Sequence, residues 1–357
     1  DQLKVDLPSF QGELVGGRLA NLLPGVWSSR MNLKLANRRC ESALLNLAEP
    51  MAVLAMLYGL RDERASLRAA WRALLKNQAH DSIGGCSIDA VHQQMQPRYA
   101  AALSLAEETA RRIMERLAGQ LPERQTPLDE PFEVAVFNPA PYAQSGVARL
   151  SLDATPALAS AEEGVIFHPL LALNQGQPGF TVDGVPVRLV PGTSDGRFFF
   201  DDQQQGIDLE IVVDDIPAMA YKRFSLTPAP AAEEVADQGK HIGNEQLGLS
   251  LEEGGTVCLT IGTQRWPGLF GVEDRPDRGD SYDVDILEDD GRTQLLKVKH
   301  CRRIHPNGTE VLEVERLYRL PRELTESRDQ RGAEETAVRL YTDFIFYPHS
   351  AQLLTRV

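Results

Sequence analysis

The chain has 357 residues, 42% hydrophobic and 25% charged, the composition of a globular protein long enough for two cores or more. Its formal charge of −14 argues against nucleic acid as the main partner. No apolar run reaches the roughly 18 to 20 residues of a bilayer span, so no membrane partner is expected. The four cysteines form no CxxC pair, which fits small buried hydrophobes in a reducing, cytoplasmic compartment.

The charge is unevenly spread. Residues 1–118 carry 15 Lys and Arg against 12 Asp and Glu, and the remainder carries 22 against 39. This asymmetry marks a change of domain near residue 120. Before it the pattern is helical. In "LKLANRRCESALLNLAEPMAVLAMLYGL", Leu33, Ala36, Cys40, Leu44 and Leu47 fall on one face, and Pro50 should kink or restart the helix. "RDERASLRAAWRALLKNQAH" continues the rhythm through Leu60, Leu67, Trp71 and Leu74. A third helix, with Ser87 as its expected N-cap, turns Val91, Met95, Tyr99, Ala106, Ile113 and Leu117 inward past Pro97. Residues 1–119 are therefore expected to form a three-helix bundle domain.

Pro122, Pro127 and Pro131 read as a linker. Beyond it come short β-type runs, among them "FEVAVF", "GVARLSL", "IDLEIVV", "TVCLTIG", "EVLEVERLYRL" and "AVRLYTDFIFY". Many short strands without intervening helices predict a large antiparallel β-sandwich region over residues 120–357, as one or two packed units. "TPAPAAEEVADQGK" reads as a mobile loop. The fold class is α+β.

The chemistry gathers in "KNQAHDSIGGCS". His80 and Asp81 stand side by side after a helical pattern, and Gly84 and Gly85 let the chain turn sharply. Three readings of His80 are open. It caps helix carbonyls at the negative end of the dipole, it ligates a metal, or it pairs with Cys86 as an activated thiol. One histidine does not make a metal site, His92 reads as lying on another face, and no HExxH pattern accompanies them.

The run "KNQAHDSIGGCSIDAVHQQM" resembles the middle-domain signature of glycoside hydrolase family 38, the retaining α-mannosidases. "WSSRMNLKLANRRCESALLNLAEP" resembles the preceding segment of that family. "EVAVFNPAPYAQSGVARL", "IPAMAYKRFSL" and "NEQLGLSLEEGG" resemble landmarks of its β region, and "EDRPDRGDSYDVDIL" a loop of its bacterial members, including mannosylglycerate hydrolases. The resemblance implies zinc as cofactor, His80 as one of its ligands, Asp81 as a partner of sugar hydroxyls and Tyr282 as a contact to bound mannose. It implies a mannoside substrate, mannosylglycerate or its phosphorylated form among them. The family places the other zinc ligands and both catalytic carboxylates in an N-terminal domain beginning with His-x-Asp, and no HxD occurs here. The expectation is thus the C-terminal part of a larger enzyme, with no catalytic residue of its own and inactive alone. Its partners would be the substrate, the missing N-terminal domain and a possible second copy of itself. The rival reading is a carbohydrate-binding or scaffold module.

Overall fold

A computed structural model describes residues 23–119, 130–152, 178–191 and 207–357, apart from 245, 281 and 289. Helices fill the first stretch and antiparallel strands the others, which makes the chain α+β. Among the described residues the helical region has six α-segments rather than three continuous helices. They are α1 (Gly25–Ser28), α2 (Met31–Ala43), α3 (Glu49–Leu57), α4 (Arg64–Leu75), α5 (His80–Gly84) and α6 (Asp89–Ala118).

A π-helical turn, Leu44–Ala48, joins α2 to α3. Pro50 explains it. Proline has no amide hydrogen to continue the α ladder, and the turn widens until the Glu49 amide reaches five residues back, to the Leu44 carbonyl. The fused rod, Met31–Leu57, is long and apolar enough by length and composition to cross a bilayer. This corrects the expectation that no stretch qualifies. The rod nevertheless packs as a core helix: Leu33, Cys40, Leu44 and Ala48 are buried with α4 and α6, and Met51 and Leu54 with Ala110 and Ile113 of α6. Ala102, Ala106 and Ala110 are fully buried, and their small side chains let the rods approach closely. Each fully buried Leu or Met adds about 1.5–3 kcal/mol. Ser87 is not the cap of α6. Ile88 holds that position without a side-chain bond, because the Ser87 amide turns back onto the Asp81 carbonyl.

The β region builds two sandwiches. In the first, β1 (Phe132–Asn138), β7 (Ala220–Pro230), β3 (Pro178–Val182) and β4 (Val185–Pro186) form one sheet. It faces β2 (Gln144–Leu152), β6 (Ile207–Ile216) and β5 (Arg188–Pro191) across a core of Phe180, Leu209, Ile211 and Leu226. In the second, β9 (His241–Gly243), β10 (Leu247–Leu251), β11 (Val257–Ile261) and β12 (Gln264–Leu269) face a five-stranded sheet. That sheet is ordered β16-β15-β14-β13-β8, from β8 (Val235–Asp237), β13 (Gln294–Ile304), β14 (Glu310–Pro321), β15 (Glu335–Phe346) and β16 (Leu353–Arg356). Ile242, Leu249, Val257, Leu312, Phe344 and Phe346 fill the space between. The stretch expected as a mobile loop, residues 227–240, instead contains the end of β7 and all of β8. β8 pairs with β13, and Arg302 of β13 holds Asp237 in a two-pronged bond. The linker expectation at Pro122 and Pro127 lies outside the described residues.

Side chains tie the regions together. Tyr221 and Arg223 of β7 donate to the Leu117 and Ala118 carbonyls at the end of α6, at 3.2 and 2.8 Å, satisfying carbonyls the helix leaves open. Phe137 and Met219 pack into the helical core. Between the sandwiches lies Glu210, fully buried and opposite both Arg149 and Arg188 in the strand register. Both guanidiniums and the Tyr347 hydroxyl donate to its carboxylate.

Candidate functional site

The His80-Asp81 pair opens α5 rather than closing α4, which ends at Leu75. α5 is a single turn wound on the Asp81 carbonyl, which accepts the amides of Gly85, Cys86 and Ser87 at 3.1–3.2 Å. Gly85 ends it at φ 91, in the left-handed region, and a Cβ there would lie 2.9 Å from the Ser29 carbonyl oxygen. The remaining carbonyls of this short helix meet two cations from the start of α2. Lys34 Nζ donates to Ser29, Ile83 and Gly84 carbonyls, and Arg30 Nε to that of Gly85 at 3.1 Å. Positive charge at a helix C-terminus also meets the negative end of its dipole. Burial holds the Lys34 ammonium below its ordinary range. Arg30 sits at φ 53, unusual for a residue with a Cβ, and also pairs with Asp89 at 2.5 Å.

His80 is directed outward. Its side chain is 97% exposed, and its Nε2 lies 3.2 Å from Asp81 Oδ1. Cys86 Sγ approaches the same carboxylate oxygen at 3.5 Å. His92, read from the sequence as lying on another face, is instead buried, and neither ring nitrogen has a hydrogen-bond partner among the described residues. Burial lowers its basicity; Arg30 adds to that effect, and Asp89 and the Asp81 backbone oppose it.

Tyr282 arrives from the β region. The Gly25 amide donates to the Tyr282 carbonyl at 3.1 Å, and the Tyr282 hydroxyl lies 3.5 Å from the Cys86 carbonyl. Gly25 is required there, because a Cβ would stand 2.9 Å from the Tyr282 carbonyl carbon. Cys86 raises the Tyr282 phenol above its ordinary range, with Asp81 acting in the same direction. The loop is held from both sides. Asp280 accepts the Tyr282 and Asp283 amides, which keep its carboxyl below the usual range, and Arg328 donates to the Arg278 and Gly279 carbonyls.

The fold thus assembles residues 25–34, 80–92, 279, 280, 282 and 283 into one surface bearing an imidazole, a carboxylate and a phenol. Arg30 and Lys34, which fix it, stood in the quoted "SSRMNLK" segment, but the sequence does not say that their partners are carbonyls some 50 residues away. Among the described residues, no group of three or more His, Cys, Asp or Glu could hold a metal ion. One exposed imidazole with a neighbouring carboxylate does not complete a zinc site, which takes four donors. The surface offers one nitrogen donor to a cation, an acceptor for hydroxyl groups and an amphipathic ring.

Residues 21–117 match the sequence model of the family described as "Alpha mannosidase middle domain". The helical region is thus similar to the middle domain of alpha-mannosidases. A protein of Halalkalibacterium halodurans described as "Putative mannosylglycerate hydrolase" is 38% identical over 105 residues, 28% of this chain and 11% of that protein. The fold beyond the middle domain is shared with two solved structures from Enterococcus faecalis, an alpha-mannosidase and a protein in glycosyl hydrolase family 38. They superpose with TM-scores of 0.69 and 0.70 at 20% and 21% identity, over 93% of this chain and 41% and 43% of theirs. The chain therefore spans less than half the length of these relatives. The resemblance to family 38 read from the middle-domain signature and the β landmarks holds.

Proposed function

We propose that this chain is the middle and C-terminal part of a zinc-dependent, retaining α-mannosidase acting on terminal α-mannosides, with mannosylglycerate or its phosphorylated form as candidate substrates. The observation that carries the reading is the delivery of Tyr282 onto the turn that follows His80 and Asp81. Nothing in the bundle's own folding requires an aromatic ring from a loop almost 200 residues downstream, whereas a sugar site needs a ring beside polar groups. In this reading His80 is one ligand of a zinc whose other ligands lie outside the described residues. Zinc held there supplies a Lewis-acid anchor for vicinal sugar hydroxyls. Asp81 accepts hydroxyl hydrogens from the sugar, and Tyr282 covers one face of the ring. Retaining hydrolysis takes two carboxylates, a nucleophile and an acid/base about 5 Å apart; no residue of this chain is assigned to either role.

The test is a comparison of variants in the whole protein that contains this chain. His80→Ala is expected to lower both bound zinc and turnover by orders of magnitude, because zinc held by three donors is far weaker. Asp81→Asn should keep zinc and lose turnover, since a charge-assisted hydrogen bond becomes a neutral one. Stoichiometric zinc and normal rates in His80→Ala would sink the metal assignment.

A second reading, a carbohydrate-binding or scaffold module, is favoured by the solitary, exposed His80 among the described residues. It predicts sugar binding by the chain with unchanged affinity on zinc removal. The enzyme reading predicts that the 357-residue chain alone does not hydrolyse an aryl α-mannoside.

A further inference from the structure

Away from the signature turn, a half-open groove of about 530 Å³ runs between the π-helical turn and the first sandwich. Leu45, Asn46 and Pro50 form its helical wall, and the end of β1, the turn after it and the start of β2 form the other. The continuous helix places the groove roughly 18 Å from Lys34, taking 1.5 Å per residue over the 12 positions to Asn46.

We infer that this groove is a second carbohydrate site, taking a neutral pyranoside. Three observations carry this. The first is a backbone acceptor left open by the helix itself. The Leu45 carbonyl would ordinarily take the Glu49 amide, or in a π turn the amide of residue 50. The Glu49 amide goes to Leu44, and residue 50 is proline. The groove wall therefore carries a carbonyl without a donor from its own helix, open to a donor from a ligand. The second is the side-chain set. Tyr142 is 62% exposed at the rim, and neither its hydroxyl nor the Gln144 amide has a hydrogen-bond partner among the described residues. Asn46 spends its amide group on Ser42 at 3.1 Å and keeps its oxygen. The third is charge. In a chain one quarter charged, no Asp, Glu, Lys or Arg among the described residues lines this groove, although Asp214 stands behind Ser145 at 2.5 Å.

These features select a ligand. An ion would find no counter-charge, and a wholly apolar ligand would leave the carbonyl and amides unpaired at about 1–3 kcal/mol each. A pyranose ring offers hydroxyl donors along its edge and C–H groups on its face, which suit the open acceptors and the exposed Tyr142 ring. The assignment does not depend on zinc or on His80.

The experiment uses the 357-residue chain, with methyl α-D-mannopyranoside and methyl β-D-glucopyranoside as probes followed by ligand-observed NMR titration. At least one probe should bind saturably. Tyr142→Ala and, independently, Leu45→Arg at its half-exposed position should each weaken that binding at least tenfold. Loss of binding in Asp81→Asn with none in Tyr142→Ala would place all sugar at the signature turn and overturn the proposal. So would the absence of saturable binding of both probes, or full binding in Leu45→Arg, which fills the groove with a charged side chain and keeps the inward face of the helix intact.

Discussion

Gly85 combines a left-handed backbone with a close backbone neighbour. Its φ of 91 is costly for any side chain, and a Cβ would press on the Ser29 carbonyl at 2.9 Å. Gly85→Ala is expected to destabilise the turn by about 1–3 kcal/mol. Hydrogen exchange at the amides of residues 82–88 should accelerate while that of the α6 core stays slow; unchanged protection would show that the turn yields cheaply. Gly25→Ala presses instead on the Tyr282 backbone. It should displace the phenol and reduce sugar affinity at the signature turn without altering His80. The "GG" of the signature was legible as a sharp turn. Gly25 was not, because the atoms that forbid its side chain belong to a loop from another region.

At the scale of elements, α5 is too short to hold itself. A five-residue helix makes few internal bonds and depends on what meets its ends. Lys34, with three carbonyls on one ammonium, is the principal support. Lys34→Met keeps the half-buried stem and removes the donor. It should loosen residues 80–86 by about 1.5–3 kcal/mol, the range for a hydrogen bond to a charged group. Circular dichroism should be nearly unchanged, and local exchange should report the loss. Arg328 has the matching task in the β region, holding the Arg278 and Gly279 carbonyls so that Asp280 and Tyr282 reach the helical surface. Arg328→Ala should leave the thermal transition in place and weaken any ligand that needs Tyr282. The interruption at Pro50 was readable from proline's missing amide, whereas the groove beside it exists only because the first sandwich lies alongside.

At the scale of the molecule, the two sandwiches are pinned through one carboxylate. Glu210 is fully buried and shared by Arg149, Arg188 and Tyr347. Glu210→Gln removes the carboxylate facing the partly exposed Arg149 and one of two facing Arg188, which keeps Glu234 at 2.8 Å, at a cost of about 1–3 kcal/mol. The urea midpoint of the β region should fall accordingly. A change confined to the helical region would show that the pin does not join the sandwiches.

Stability should also depend on pH through His305, buried at the β13–β14 turn, where its Nδ1 accepts the Asn307 amide. Burial lowers its basicity from the ordinary 6.5, so the native state binds fewer protons than the unfolded chain. Its contribution is complete above about pH 6.5 and is lost as pH falls below that. His92 is shifted in the same direction. The denaturation midpoint should therefore decline between pH 7 and 5, and His305→Asn, which retains an acceptor, should flatten part of that slope.

What the sequence by itself determined is whatever depends on neighbours along the chain. The 3.6-residue rhythm named the inward Leu33, Cys40, Leu44 and Met95, and the alternating runs named the principal strands. The signature run with its β landmarks named the family, and His80, Asp81 and Tyr282 stood out as residues. Short strands such as β8 and β9 escaped, since three residues carry no period of their own and exist only through pairing. The tertiary structure alone decided that Tyr282 lies against Cys86, that Lys34 and Arg30 cap α5, that His92 is buried and that Glu210 faces two arginines. Each is a contact between residues tens to hundreds of positions apart. Its energy comes from desolvation and geometry at the meeting point, and neither is encoded in the local order of side chains.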